Sequence, residues 1–186
     1  MMTSPTVQTY RWTRTEFEQL ASTGIFDPEE RLELLDGEIF QITPQSSWHA
    51  TCVRMVEEAL RTIYKRGYDI RVQMPLAIDP RSLPEPDVAV VTGSFRDYRN
   101  AHPTTAILVV EVSDSSFTHD KERKRPRYAR AGIPEYWILN LSDYCVEVYQ
   151  DPVGGDYGLH TIFQPEASIT LVSHPDVVIA VADLLP

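Results

Sequence analysis

The sequence is poor in cysteine and has no long apolar run, and both absences narrow the class of protein. Its two cysteines, Cys52 and Cys145, lie far apart and form no C-x-x-C pair, which argues against a structural zinc site or a disulfide scaffold. No stretch approaches the roughly 18 apolar residues that a membrane helix requires. Residues 1–10 lack the apolar core of a signal peptide. We therefore expect a cytoplasmic protein with no membrane association.

Internal repeats and low-complexity linkers are also absent from the sequence. A chain of 186 residues has the length of one domain, since domains commonly take about 100–200 residues. The 42% of hydrophobic residues excludes a disordered chain and supplies a core that needs no disulfide or metal. We expect residues 1–186 to form a single domain.

Basic residues are scarce and unevenly placed. Lysine and arginine total 17 against 27 acidic residues, so the net charge is −10, which does not favour a polyanionic partner. Residues 120–130, however, hold six basic residues against two acidic ones, a net +4 that leaves −14 for the rest of the chain. The six are Lys121, Arg123, Lys124, Arg125, Arg127 and Arg130. Such a run is typical of a solvated helix face or of a nucleic-acid contact.

The first third of the chain has the signals of a helix, a hairpin and a longer helix. Thr13 and Glu16 form the pattern of a capping box, which begins a helix. Apolar residues alternate over 31–42 on either side of an Asp-Gly dipeptide, which predicts a β-hairpin with a two-residue turn. Over 46–66 the apolar residues recur at spacings of three and four, as in an amphipathic helix.

The remaining sequence is rich in short strands. Apolar runs predict strands at 68–78 (bent at Pro75), 88–91, 106–112, 135–141, 146–149 and 159–163. The apolar tail at 177–185 is expected to pack against the body. This order of elements predicts an α/β (α+β) fold, with a mixed β-sheet flanked by helices.

Two carboxylates lie where a buried strand begins or ends. Asp87 follows a Pro-Glu-Pro turn and precedes one apolar strand, and Glu111 lies at the polar end of the next. A carboxylate beside a buried strand is costly unless it is paired or binds a cation, although either one alone could be an exposed residue at a strand end. On consecutive strands, with a basic segment downstream, the two form a candidate Mg²⁺ site.

Several segments together resemble a known family. They are ELLDGEI at 33–39, Pro44 with Trp48 and His49, EPDVAV at 85–90, LVVEVS at 108–113 and KRPRYARAGIPEYW at 124–137. The order Asp87, Glu111, Lys124 resembles that of the PD-(D/E)XK nuclease superfamily. More closely, residues 11–150 resemble the bacterial restriction endonuclease family of the Uma-two type, which is abundant in cyanobacteria. The last of these segments is the most specific.

The resemblance implies a restriction-endonuclease-like core whose acids gather at one edge of a mixed sheet. Asp87 matches the first metal-binding acid of the superfamily, and Glu111 matches the acid of its (D/E)XK element. Between them the resemblance implies a divalent ion, Mg²⁺ or Mn²⁺, with the carbonyl of Val112 as a further ligand.

The sequence departs from the superfamily pattern at Ser113, which stands where the catalytic lysine is expected. The family resemblance implies a lysine displaced onto the following helix, and Lys124 holds that place, with Lys121 as its rival. Pro126 cannot occupy a helix interior without the loss of a backbone hydrogen bond. We therefore expect a kink or a helix start close to Arg125 and Pro126.

Three further residues are weaker candidates for the site. Glu38 follows the hairpin turn and could add a carboxylate, or it could be an exposed hairpin residue. His49 lies near the start of the long helix, where the family also tends to carry a histidine; it could contact phosphate or transfer a proton, or simply lie at the surface. Gln73 lies on the strand before Asp87 and could face either the site or the solvent.

Three hypotheses about function follow. The first is a Mg²⁺-dependent DNA endonuclease in which Lys124 assists the attacking water. Its candidate phosphate contacts are Arg123, Arg125, Arg127 and Arg130. The second is a catalytically inactive nuclease-like scaffold that binds nucleic acid or protein, which Ser113 and the acidic remainder of the chain favour. The third is a globule whose acids are surface residues. For the first, a homodimer is plausible by analogy because double-strand cleavage usually needs two active sites.

Overall fold

The computed structural model describes residues 8–27, 29–42 and 45–186. The helices are α1 (Arg14–Ser22), α2 (Ser47–Ile63), α3 (Phe117–His119) and α4 (Arg125–Arg130), with a π-helical turn at Asp120–Lys124 and a 3₁₀ turn at Val181–Asp183. The strands are β1 (Arg31–Leu35), β2 (Glu38–Ile42), β3 (Tyr68–Val72), β4 (Val88–Thr92), β5 (Leu108–Ser113), β6 (Glu135–Asn140), β7 (Cys145–Val153), β8 (Asp156–Phe163), β9 (Ser168–Leu171) and β10 (His174–Ala180).

Six of these strands form one mixed sheet in the order β3-β4-β5-β6-β7-β8. Every neighbouring pair is antiparallel except β5 and β6, which run parallel with Glu111 opposite Ile138. A parallel pair needs a crossover connection, and the helical residues 117–130 supply it. Strands β1 and β2 form a separate hairpin, as do β9 and β10. The predicted mixed sheet flanked by helices is confirmed.

The core lies on both faces of this sheet. On one face, Val110 and Val112 of β5 join a cluster with Val56 of α2 and with the β9–β10 hairpin. On the other face, Val109 joins a cluster with Tyr128 of α4. Every residue of β5 and β6 is buried, which explains why both strands read as continuous apolar runs.

The local signals in the first third of the chain are confirmed. Thr13 caps α1 with a complete capping box, in which the Thr13 N–H donates to Glu16 Oε2 at 2.8 Å. The hairpin turn has Asp36 and Gly37 at φ 48° and 78°, the left-handed pair that a two-residue turn requires. A Cβ at Gly37 would lie 2.9 Å from the Trp12 backbone, so this position has no room for a side chain. Helix α2 begins after its Ser46 cap as predicted.

The predicted strand at 68–78 is shorter than expected, because β3 ends at Val72. Gln73 has φ 51° and donates its N–H to the carbonyl of Asp87 at 3.1 Å, so the chain leaves the strand path there. Beyond this bend Leu76 packs in the cluster on the opposite sheet face from Ile70. Pro75, which lacks an N–H, could not have continued the ladder.

The helical segment 117–130 changes its hydrogen-bonding pattern where the proline predicts a break. The N–H of Arg125 donates to the carbonyl of Asp120, five residues back, which closes the π-helical turn. Pro126 lies in the first turn of α4, where no N–H is needed. Both Asp120 and Lys124 of the π-helical turn are buried. The predicted helix start close to Pro126 is confirmed, and the side chains of Asp120 and Lys124 contact β5 at Ser113 and Glu111.

The structure tests only some of the remaining predictions about the chain. The tail packs against the sheet as expected, with Leu184 buried in the main core. Among the described residues, no helix is long and apolar enough to cross a membrane. Pro44, one of the residues that carry the family resemblance, and residues 1–7 lie outside the described residues. The single domain over 1–186 stays a prediction.

Glu135, at the start of β6, joins two strands and a turn. Its side chain is fully buried and accepts hydrogen bonds from Trp137 Nε1 (2.9 Å), Gln150 Nε2 (3.0 Å) and the Val172 N–H (2.9 Å). Burial raises the pKa of Glu135, while these three donors lower it. The carboxyl therefore acts as an internal acceptor that joins β6, β7 and the β9–β10 turn.

We expect Glu135→Ala to lower the free energy of unfolding by about 2–3 kcal/mol, because it removes the acceptor of one buried and two partly buried donors. Urea denaturation followed by tryptophan fluorescence measures the loss. The control is Glu122→Ala, an exposed glutamate on the π-helical turn, which should change stability by less than about 0.5 kcal/mol. Equal stabilities for the two variants would contradict the role assigned to Glu135.

Candidate active site

A cavity of about 400 Å³ opens where β4 begins and β5 ends. Its walls come from the β1–β2 hairpin, the start of α2 and the residues that lead into the π-helical turn. Four carboxylates converge there, each no more than 7% exposed. They are Glu33, Asp87, Glu111 and Asp120, and the buried Lys124 lies among them. The cavity therefore concentrates negative charge around one buried cation.

Asp87 is held by donors from three different elements. Its Oδ2 accepts the Val112 N–H at 2.8 Å and lies 3.2 Å from His49 Nε2, while Oδ1 accepts Gln73 Nε2 at 3.1 Å. Burial raises the pKa of Asp87, but His49, the Val112 N–H and Lys124 outweigh it and leave that pKa below its ordinary value. Asp87 is therefore an ionised carboxylate with a fixed orientation.

Glu111 lies at the centre of the cluster. Its Oε1 accepts hydrogen bonds from Lys124 Nζ at 3.2 Å and from the Tyr128 hydroxyl at 2.8 Å. Burial raises the pKa of Glu111 well above its ordinary value, and the three neighbouring carboxylates add to this rise against the attraction of Lys124. The raised pKa shows that the negative charge at this point is only partly compensated by protein groups.

Lys124 is the buried cation of the cluster. Its Nζ lies 3.2 Å from Glu33 Oε2, 3.2 Å from Glu111 Oε1 and 3.7 Å from Asp120 Oδ1. Burial alone would lower its pKa, but the surrounding carboxylates raise that pKa well above its ordinary value. Lys124 is therefore always charged and serves as a fixed positive centre.

Sequence reasoning gave no role to Glu33, although it lies within one of the resembling segments. It is buried on β1, and its Oε1 lies 3.1 Å from His119 Nε2, while its Oε2 accepts the Glu85 N–H at 3.3 Å. Burial opposes its ionisation, but Lys124 and His119 lower its pKa to about 2. The alternation of β1 gave no signal for it, because Glu33 shares the polar positions of the strand with Arg31.

Asp120 is the second acid that sequence reasoning left unassigned. Its Oδ2 accepts hydrogen bonds from the hydroxyls of Ser113 and Ser116, both at 2.7 Å. Burial raises its pKa, and Lys124 and the two serines lower it in part. Ser113 therefore does not replace the missing lysine but orients the acid that lies beside Lys124. The signal in the sequence was the i, i+4 spacing of Asp120 and Lys124.

Two of the predicted site residues lie elsewhere. Lys121 Nζ contacts Glu147 Oε2 at 3.0 Å, whereas Lys124 is the lysine in contact with Glu111. Glu38 is not part of the cavity wall, because its carboxylate pairs with Arg11 at 2.6 Å and lies 3.9 Å from Arg123. The structure therefore brings together Asp87, Glu111, Lys124, Val112 and His49 from the predicted set.

The four arginines predicted to contact phosphate do not line this cavity. Arg125 pairs with Asp156 at 2.9 Å, and Arg127 and Arg130 both bind Asp36 of the hairpin turn. Arg123 is about half exposed beside the same hairpin. These arginine side chains therefore lie away from the four buried carboxylates, so any phosphate contact that they make lies outside the cavity.

The donor set of the cavity fits a hard divalent ion. Within the described part of the chain, no group of three or more His, Cys, Asp or Glu side chains converges as a ready metal cage. Mg²⁺ needs only one or two carboxylates, since water and phosphate oxygens complete its shell. The hydrogen bonds that Glu111 accepts from described residues all go to Oε1, and Asp87 Oδ1 accepts a single one. Each carboxylate thus retains lone pairs for a cation.

We expect Glu111→Gln to stabilise the metal-free protein at pH 8. The pKa of Glu111 in the folded protein lies above its ordinary value of 4.5. Its contribution to the stability of the folded protein is therefore fully present below pH 4.5 and is lost as pH rises through the raised pKa. The amide should raise the Tm at pH 8 by about 2–4 °C or more, the shift that ~1 kcal/mol produces in a chain of this size. The gain should shrink toward pH 4.5.

Thermal unfolding in chelator across this pH range measures the effect. Glu58→Gln, which replaces an exposed glutamate of α2, serves as the control and should follow the original protein at every pH. A Tm for Glu111→Gln at pH 8 equal to or below that of the original chain would show that Glu111 carries no uncompensated charge.

Comparisons with known proteins found one matching family and a solved structure with a similar fold. The Uma2 family, described as "Putative restriction endonuclease", matches residues 14–182. A crystal structure from Anabaena variabilis ATCC 29413, described as a putative nuclease belonging to DUF820, superposes with a TM-score of 0.74 at 16% identity and covers 93% of this chain and 97% of that chain. At this identity the likeness shows a shared fold. No curated protein matches the sequence.

Proposed function

Since the chain belongs to the Uma2 family of restriction-endonuclease-like proteins, which matches it over residues 14–182, we propose that it is a metal-dependent endonuclease acting on DNA. The observation that carries the proposal is the contact of Lys124 Nζ with Glu111 Oε1 at 3.2 Å in a cavity that also holds Asp87. A nuclease needs one group of carboxylates for the metal and one fixed cation for the phosphate, and this cavity offers both.

In the proposed site, Asp87, Glu111 and the Val112 carbonyl hold the metal, Mg²⁺ or Mn²⁺. When bound, such an ion lowers the pKa of its water and neutralises charge on the phosphate in the transition state. Asp87 is suited to this role because three donors fix its orientation. Glu111 is suited because a cation would relieve the repulsion that raises its pKa.

Lys124 acts on the phosphate and on the attacking water. Its charge does not change during the reaction, because the carboxylates around it hold its pKa well above the ordinary value. It therefore stabilises negative charge and orients water by hydrogen bonding, and it does not accept the proton. Glu33 and Asp120 hold its ammonium in place before substrate arrives, which is the preorganisation that makes such stabilisation effective.

His49 has a positioning role toward Asp87 and faces the same cavity. Burial would lower its pKa, but the Asp87 carboxylate and the Val112 carbonyl raise it. Its Nδ1 is buried and finds no hydrogen-bond partner among the described residues, so His49 acts on the site through the contact of its Nε2 with Asp87. Glu38 stays with its hairpin ion pairs and takes no part in the proposed reaction.

The part of a bound DNA duplex that lies outside the cavity would contact the basic segment 120–130. Arg123 and Arg130 are each about half exposed and are the arginines of this segment best placed to reach a phosphate backbone. Binding should weaken steeply with salt, because each phosphate contact releases counterions. Cleavage of both strands would need two active sites, which a symmetric homodimer supplies.

We expect Asp87→Asn and Lys124→Met to reduce Mg²⁺-dependent cleavage of supercoiled and branched DNA by at least about 100-fold, the usual cost of removing a group that stabilises the transition state. Conversion of supercoiled plasmid to nicked and linear forms measures the rate. Lys121→Met should cleave at the original rate, because this lysine contacts Glu147 outside the cavity. Undiminished cleavage by Asp87→Asn or Lys124→Met would refute the assignment.

Divalent ions should also stabilise the folded chain directly. An ion that binds only the folded state stabilises it by about 2.7 kcal/mol at 100 times its Kd, so Mg²⁺ or Mn²⁺ should raise the Tm by several degrees. Asp87→Asn should abolish this rise, whereas Glu58→Gln, an exposed change on α2, should preserve it. A protein that binds DNA without responding to either ion, and cleaves no form of DNA, would instead be the catalytically inactive scaffold.

A further inference from the structure

His119 is a cavity residue to which neither the sequence motifs nor the site described above gives a role. It is the last residue of α3, directly before the π-helical turn that carries Lys124. Its side chain lines the cavity and is 28% exposed, whereas its partner Glu33 is 2% exposed. Its Nε2 lies 3.1 Å from Glu33 Oε1. The imidazole is thus held by a buried carboxylate while one side of it reaches the cavity.

Two contacts fix the orientation of this ring. The other oxygen of Glu33 contacts Lys124 Nζ at 3.2 Å, so the carboxylate that holds the imidazole is itself anchored. Phe40 of β2 packs edge-on against the imidazole, with ring centroids 5.0 Å apart and an interplanar angle of 64°. A histidine whose ring nitrogen is oriented by a buried carboxylate can present its other nitrogen to a substrate in a defined direction.

Glu33 is the charged group in direct contact with His119. It lies on β1 and is ionised at neutral pH, because its pKa is lowered to about 2. The other titratable or charged groups that line the cavity are Arg31, His49, Glu85, Asp87, Glu111, Asp114, Asp120 and Lys124.

Other cavity groups are less suited to donate a proton to a leaving group. Lys124 contacts three carboxylates and remains protonated throughout. The Nε2 of His49 lies against Asp87, which is a proposed metal ligand, and its Nδ1 is buried. His119 is partly exposed, so it can regain a proton from solvent. Its carboxylate partner, Glu33, is not a proposed metal ligand.

We propose that His119 is the general acid of the reaction and donates its proton to the ester oxygen that leaves phosphorus. This inference rests on the proposed nuclease function. As the water oxygen bonds to phosphorus, the bond between phosphorus and the leaving oxygen breaks, and that oxygen takes the proton of the imidazolium. The attacking water releases its own proton to solvent, and the neutral imidazole regains one from solvent after the products depart.

The test compares two substrates in the presence of Mg²⁺. DNA has an alkoxide leaving group that needs a proton, whereas bis(p-nitrophenyl) phosphate has a leaving group that needs none. We expect His119→Asn to lower kcat/KM on DNA by about 100-fold or more, the range of general acid catalysis, and to leave the rate on the activated diester unchanged.

His160→Asn is the matched control. His160 Nε2 also contacts a buried carboxylate, Glu147 Oε2 at 2.8 Å, but it lies on β8 outside the cavity. This variant should cleave both substrates at the original rates. If His119→Asn does not fold, His119→Gln provides the second measurement and should show the same loss on DNA with an unchanged rate on the activated diester.

The possible outcomes separate this inference from the function on which it rests. Suppose that the original chain cleaves DNA. If His119→Asn then cleaves DNA equally well, or loses activity on DNA and on the activated diester to the same extent, His119 is not the general acid, while the nuclease assignment stands. Cleavage of DNA by His119→Gln at the original rate would overturn the inference in the same way. If the original chain cleaves neither substrate with Mg²⁺ or Mn²⁺, the nuclease function itself fails, and the role of His119 fails with it.

Discussion

The buried ammonium of Lys124 brings three parts of the chain together, because each supplies a carboxylate to it. Glu33 comes from the β1–β2 hairpin, Glu111 from the central strand β5, and Asp120 from the π-helical turn of Lys124 itself. Loss of Lys124 itself would cost about 3–5 kcal/mol, since the carboxylates around it would stay buried without a compensating cation. The position of the hairpin relative to the sheet, and with it the shape of the cavity, therefore depends on this cation.

The cluster is electrostatically incomplete, and this imbalance connects stability with function. Four buried carboxylates lie around Lys124, and the pKa of Glu111 is raised first by burial and then by the other three carboxylates. A site optimised for stability alone would not keep such a charge, whereas a site that binds a cation needs it. Under the proposed function, a chain of net charge −10 can act on a polyanion because part of its acidity lies where a bound metal would offset it.

Local rules predicted much of the fold because they act between residues close in sequence. The capping box at Thr13, the turn at Gly37 and the break at Pro126 each depend on a backbone constraint that neighbouring residues impose, and all three are confirmed. The strand predicted to run to residue 78 ends at Val72, because the backbone of Gln73 adopts a left-handed conformation with φ 51°. Apolar alternation contains no information about such a bend.

The sequence by itself determined the class of fold, the placement of Asp87 and Glu111 beside buried strands, and a basic segment after them. Only the tertiary structure decided which side chains meet. The π-helical turn directs Lys124 into the carboxylates and α4 directs its arginines away, because the direction of a side chain depends on helical phase and on the surface against which the helix packs. Glu33 joins the site from a strand more than fifty residues before Asp87, a proximity that long-range packing alone creates.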